Sequence, residues 1–239
     1  MLILYFPLDD PIVREPFRLL DLYKRHGASV IEIALPTVNP VLDGQVIRDS
    51  MTRVLSHKTL DAFFEDIREI AVRYPEIKIQ LMAYCHLIKE YSLEKFAEKV
   101  RQCGISYVLP PDAGEKELRE MDEIFRPSGI SVIRIAPYRL KREEIECFRN
   151  SQGYIFQRTT DGKTGGTHEI SERLRENTEL LRKNGIRTPV VYAFGISEKE
   201  QVDQAMKMGA DGVVIGSALF PHILSGTVDE YLSNFDMWF

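Results

Sequence analysis

Eight times along this chain a short apolar run gives way to an amphipathic one, and that alternation limits the fold more than any single motif. The apolar runs lie at 2–7, 29–35, 77–83, 105–109, 130–136, 153–157, 189–195 and 211–220. Between and after them, 12–26, 59–74, 92–103, 114–125, 140–149, 171–183, 198–208 and 227–237 read as helices, most of them with apolar residues at helical spacing. Gly27, Pro75, Gly104 and Gly185 stop four of these segments, because glycine accepts the backbone that ends a helix and proline cannot continue one. Ser92 reads as a helix cap, and Ser197-x-x-Glu200 as a capping box for the 198–208 helix. Strands joined through helices run parallel. Eight such units predict an α/β fold, a single (β/α)8 TIM barrel over residues 1–239 as one domain, with function on the loops that follow the strands. A doubly wound open sheet is the competing architecture.

Composition narrows the function. A net charge of −5 argues against general nucleic-acid or anionic-membrane binding. No apolar run approaches the roughly 18–20 residues needed to span a bilayer. The opening MLILYFPLDDP lacks a basic region and a small-residue cleavage site, and reads as a strand rather than a signal peptide. Cys85, Cys103 and Cys147 are odd in number and fit a reducing cytoplasm. Neither these cysteines nor His57, His86 and His168 show metal-ligand spacing.

The chemistry is concentrated in IEIALPTVNPVLDG, residues 31–44. Glu32 stands inside an apolar strand, and Asp43 follows on a loop just before Gly44. A carboxylate is costly to desolvate, so a Glu within an Ile/Leu strand needs a reason. One carboxyl in a dry wall and one on a wetter loop have their pKa values pushed apart, which suits a division of acid and base roles. The competing reading is a core Glu satisfied by backbone or Arg, beside an ordinary Asp-Gly turn.

Two glycine motifs, Phe194-Gly195-Ile196-Ser197 and Ile215-Gly216-Ser217-Ala218, end consecutive predicted strands. In a barrel they are neighbours. Glycine lets backbone N–H groups approach an anion, Ser217 adds a hydroxyl, and a helix opening at Gly216-Ser217 would offer its positive end. Gly165 and Gly166, in the loop after strand six, could reach over the same place. The pair favours a phosphate ester over glycines that merely make tight turns.

Taken together, these features resemble the tryptophan synthase alpha subunit family over nearly the whole length. The most specific likeness lies in Glu32-x-x-x-Pro36-x-x-x-Pro40-x-x-Asp43-Gly44, in Gly153-Tyr154 with Thr164-Gly165, and in Phe194-Gly195-Ile196-Ser197. The resemblance implies a lyase of tryptophan biosynthesis. It would cleave indole-3-glycerol phosphate to indole and glyceraldehyde 3-phosphate, without cofactor or metal, beside a beta subunit. By that likeness Glu32 matches the general acid/base, and Asp43 the carboxylate that polarises the indole N–H. Thr164 and Gly165 match the mobile lid, and Gly195, Gly216 and Ser217 the phosphate contacts. Tyr5, Met82, Tyr84, Leu109, Ile135, Phe156 and Phe194 fall where the family lines its indole pocket.

Departures from the family pattern cluster in the loops that meet the beta subunit. Asn39 replaces an acid, Gln45 a proline and Thr160 an arginine, while Ala193 and Phe156 replace a glycine and a tyrosine. They imply altered coupling to a beta subunit. They also keep open a divergent paralogue, either a lyase or isomerase on another phosphorylated substrate or a non-catalytic regulatory subunit.

Overall fold

The computed structural model describes residues 1–162 and 170–235. Its strands are β1 (Leu2–Tyr5), β2 (Ala28–Ala34), β3 (Lys78–Met82), β4 (Tyr107–Leu109), β5 (Ser131–Val132), β6 (Arg134–Ala136), β7 (Ile155–Arg158), β8 (Val190–Ala193) and β9 (Gly212–Ile215). Every neighbouring pair is parallel, in the order β5-β4-β3-β2-β1-β9-β8-β7-β6. The two ends of that order are halves of one apolar run, parted at Ile133. The first half pairs with β4 and the second with β7. The Ile133 N–H donates to the Val108 carbonyl at 2.8 Å, carrying the β4 ladder one residue further. The eight-fold barrel expected from the sequence is therefore present, with one of its strand positions broken in two.

Around it lie α1 (Pro16–Arg25), α2 (Gln45–Leu55), α3 (Leu60–Arg73), α4 (Cys85–Tyr91), α5 (Leu93–Gln102), α6 (Glu115–Phe125), α7 (Glu172–Lys183), α8 (Lys199–Lys207), α9 (Leu219–Ser225) and α10 (Val228–Ser233). The α3 helix shows how sequence dictates local structure. The Thr59 hydroxyl caps it by accepting from the Ala62 N–H, and Phe63, Phe64, Ile67 and Ile70 share its buried face. Phe64 meets Phe96 of α5 edge-on at 6.2 Å, and Phe96 stacks on Phe125 of α6 at 6.2 Å. Each of these rings removes enough apolar surface from water to contribute about 2–3 kcal/mol.

Several boundaries differ from the sequence pattern for local reasons. α1 begins at Pro16 rather than residue 12, because proline has no N–H to donate and is favoured in a helix's first turn. The residues before it form turns held by Asp10, which accepts from the Ile12 N–H and from Arg53. α2 and α4 fall in stretches where the pattern predicts nothing regular. Residues 140–149 contain a 3-10 helix, Arg142–Phe148. The box expected from Ser197 and Glu200 is displaced by one residue: Glu198 caps α8, and Gln201 reaches back to the Glu198 N–H at 3.0 Å. Ser92 does precede α5, but its side chain makes no capping hydrogen bond.

Gly153 shows how closely the barrel interior is fitted. Its φ is +65°, and a Cβ there would lie 2.8 Å from the ring of buried Tyr107. Gly153→Ala therefore carries both left-handed strain and overpacking, and is expected to destabilise the protein by about 2–4 kcal/mol. Urea denaturation checks this; a loss below about 0.5 kcal/mol would mean that the ring has room to move.

Candidate active site

Glu32 is the fifth residue of β2, in register with Tyr5 of β1 and Gln80 of β3. Its carboxyl turns into the barrel, where the residue is only 6% exposed. Oε2 accepts a hydrogen bond from the Gln80 side-chain amide. Burial, and then the nearby Asp43 carboxylate, push the Glu32 acid up to about 8, while the Gln80 hydrogen bond opposes them. The acid is therefore largely protonated at neutral pH.

Asp43 arrives from the loop after β2, just before Gly44, which caps α2. It too is buried. The Tyr84 hydroxyl donates to its Oδ2 at 2.7 Å and accepts from the Leu42 N–H at 3.1 Å, tying the loop to the start of α4. The Arg48 guanidinium holds the Asp43 carbonyl at 3.0 Å. An acid at this end of α2 also lies where the helix dipole favours negative charge.

The two acids line one apolar chamber. Tyr5, Met82, Leu109, Ile135, Phe156 and Phe194, all expected there, share its wall. Leu42, Ile47 and Pro111 complete it and were not expected, because Ile47 belongs to the unanticipated α2 and the other two lie on loops. Tyr84 is a correction. It does not line the chamber; the chain turns into α4 immediately after it, and its hydroxyl stands behind Asp43. Thr164 and Gly165 lie outside the described residues.

The chamber opens into a larger cleft of about 360 Å³, with Glu32, Phe156, Phe194, Gly216 and Ser217 common to both. Gly195 and Ser197 line the outer part, so the turns after β8 and β9 do meet. Phe194 has φ +79°, a strained backbone for a bulky residue, and Gly195 follows at φ +69°, which glycine adopts without strain. Gly216 has neither a left-handed backbone nor a neighbour within 4 Å of where a Cβ would be. A bare backbone there leaves room for a ligand to approach it. The helix expected at Gly216-Ser217 instead begins at Leu219 and is short. Among the described residues, Ser217 and the glycine backbone can turn toward an anion there, whereas the Ser197 N–H and hydroxyl both donate to the Gln201 side chain, at 2.8 and 3.3 Å. His222, stacked on Tyr231 at 4.0 Å, also lines the cleft and was not anticipated.

Among the described residues no cluster of His, Cys, Asp or Glu could hold a metal ion, and no helix is long and apolar enough to cross a membrane. Cys85 is no nucleophile candidate: burial and the adjacent Asp112 push its thiol up to about 12.

A parallel barrel with paired carboxyls in an apolar chamber, opening on glycine-rich strand ends, has the layout of an acid–base enzyme for a small molecule with an apolar body. Sequence and structural relatives make this more specific. The family model described as tryptophan synthase alpha chain matches residues 1–232, and the chain belongs to that family. The tryptophan synthase alpha chain of Helicobacter pylori strain HPAG1 is 32% identical over 231 residues, spanning 96% of this chain and 86% of the relative. That of Corynebacterium glutamicum is 29% identical over 231 residues, spanning 95% and 82%. A chain of the Pyrococcus furiosus tryptophan synthase a2b2 complex superposes with a TM-score of 0.85 at 25% identity, covering 98% of this chain and 96% of that one.

The raised acid has a consequence for stability. Between its ordinary value of 4.5 and about 8, the folded state keeps a proton that the unfolded chain releases. Glu32 therefore makes the protein less stable as pH rises through that window. Glu32→Gln lacks this contribution and is expected to gain stability relative to the parent as pH rises from about 5 to 8. Urea midpoints for both proteins across that range check it, and a constant difference would contradict it.

Proposed function

We propose that this protein cleaves indole-3-glycerol phosphate to indole and glyceraldehyde 3-phosphate, the alpha reaction of tryptophan biosynthesis. The observation that carries this reading is a burial-raised acid, Glu32, sharing an apolar chamber with Asp43 beside the turns after β8 and β9.

The indole ring occupies the inner chamber and the phosphate the outer cleft, against Gly195, Gly216 and Ser217. Protonated Glu32 delivers its proton to indole C3, and positive charge develops on the ring nitrogen. Asp43 accepts a hydrogen bond from that N–H and stabilises the charge. Glu32, now a carboxylate, takes the proton from the side-chain hydroxyl next to the ring. The carbonyl of the aldehyde forms, the bond from C3 to the side chain breaks, and its electron pair returns to the ring. One proton enters and one leaves, so the acid is restored. The Phe156 and Phe194 rings, in edge-on contact at 5.7 Å, suit a planar apolar guest.

The working partner is a tryptophan synthase beta subunit. Val38 is 92% exposed on the loop after β2, and Val41 and Val46 are also exposed, an apolar rim beside Asp43 that suits a protein face. The setting is the cytoplasm, in keeping with three free cysteines.

Indole release from indole-3-glycerol phosphate tests the reading directly. Glu32→Gln is expected to lower kcat by about 10²–10⁴, and Asp43→Asn by about 10²–10³. Because the protonated acid is the active form, kcat/KM should be level below pH 8 and fall about tenfold per pH unit above it. Turnover that survives both substitutions would overturn the assignment. With Asn39 on the loop after β2 and Gln45 opening α2, at positions the family likeness turns toward the partner, an added beta subunit is expected to raise the rate by less than about tenfold, or 1.4 kcal/mol. Larger activation would show that these positions do not weaken coupling.

A further inference from the structure

We infer that Gln80 is a positioning residue that decides which oxygen of Glu32 carries the transferable proton. The inference rests on the reading of Glu32 as the acid and base of the reaction, and it concerns a residue outside the expected site. Gln80 is fully buried on β3, in register with Glu32. Its Nε2 donates to Glu32 Oε2, and its Oε1 accepts from the Tyr154 hydroxyl. An amide has one donating and one accepting end, so its orientation matters. Tyr154 supplies a proton to the accepting end and thereby fixes the donating end on Glu32.

Tyr154 is itself held in place. It is fully buried, and its ring meets the edge of Tyr107 at 5.6 Å. The Lys78 ammonium donates to the Tyr107 hydroxyl at 3.0 Å, and bare Gly153 leaves the Tyr107 ring its space. Burial and the Glu32 carboxylate keep the Tyr154 phenol protonated well beyond its ordinary range, so it remains a donor whatever Glu32 does.

Oε2 is therefore engaged by a donor in both protonation states, and the proton of the neutral acid sits on Oε1. The same hydrogen bond favours the carboxylate and holds the acid below the value that burial alone would set. Among the described residues, the titratable groups facing Glu32 are Asp43 from the loop after β2, Tyr5 from β1 and Tyr154 from the approach to β7, all of them acids.

The test follows the carboxyl itself, without substrate. In the full chain carrying carbon-13 at the glutamate carboxyl positions, Glu32→Gln assigns the Glu32 resonance by its disappearance. Gln80→Met keeps the size of the side chain and removes both hydrogen bonds. It is expected to move the Glu32 midpoint upward by about one pH unit or more. Tyr154→Phe removes one hydroxyl, frees the amide to turn over, and is expected to move the midpoint the same way by less. An unmoved or lowered midpoint in folded Gln80→Met overturns the inference. If that variant does not fold, an unmoved midpoint in Tyr154→Phe does so. Failure of the parent protein to release indole, with the shifts present, would overturn the proposed reaction and leave the Gln80 orientation standing. Turnover with no shift would do the reverse.

Discussion

Placing a carboxyl group inside a barrel of Ile, Val, Leu and aromatic side chains is the constraint around which this site is built. In water the Glu32 acid would be ionised at neutral pH and useless as a proton donor. Burial reverses this, and the strand that carries it provides the rigidity that a loop would lack. The cost is met in two ways. The acid keeps its proton, so no full charge is buried at neutral pH, and the side-chain amide of Gln80 occupies one of its oxygens.

Asp43 is arranged on a different principle. It is placed by a loop rather than a strand, and that loop is secured by other elements: Tyr84 at the start of α4, and Arg48 in α2. Thr37 on the same loop meets the His86 ring at 2.8 Å, again from α4. A partner pressing on the exposed valines would push on a segment whose inner end carries a carboxylate. The exposed valines and the buried Asp43 are thus joined by only a few residues of chain.

How much was legible in the sequence follows from the kind of signal each residue gave. Glu32 announced itself as a charge within an apolar run, and the barrel announced itself by repetition. Gln80 gave the same kind of signal in IKIQLMA, but an amide has no acid–base chemistry and so did not stand out. α2 shows a narrow face, Ile47, Met51 and Val54, diluted by Arg48, Asp49, Ser50 and Thr52, and it follows directly on an Asp-Gly turn. α4 is too short for helical periodicity to register. The family likeness puts Tyr84 in the chamber, and with α4 illegible nothing in the local pattern shows that the chain turns there and leaves the Tyr84 hydroxyl on Asp43. Local pattern finds elements; it does not find the turns that aim side chains.

The break in the barrel wall at Ile133 bears on how such a chamber changes its guest. Ile135 and Leu109 belong to the short strands on either side of that seam, where only two- and three-residue ladders hold the wall together. Glu32 is anchored elsewhere, on the seven-residue β2 between two continuous neighbours. Breadth and chemistry therefore reside in different parts of the cylinder. A lineage could recut the slot for a wider or narrower guest along the seam while the wall that carries the Glu32 carboxyl kept its place.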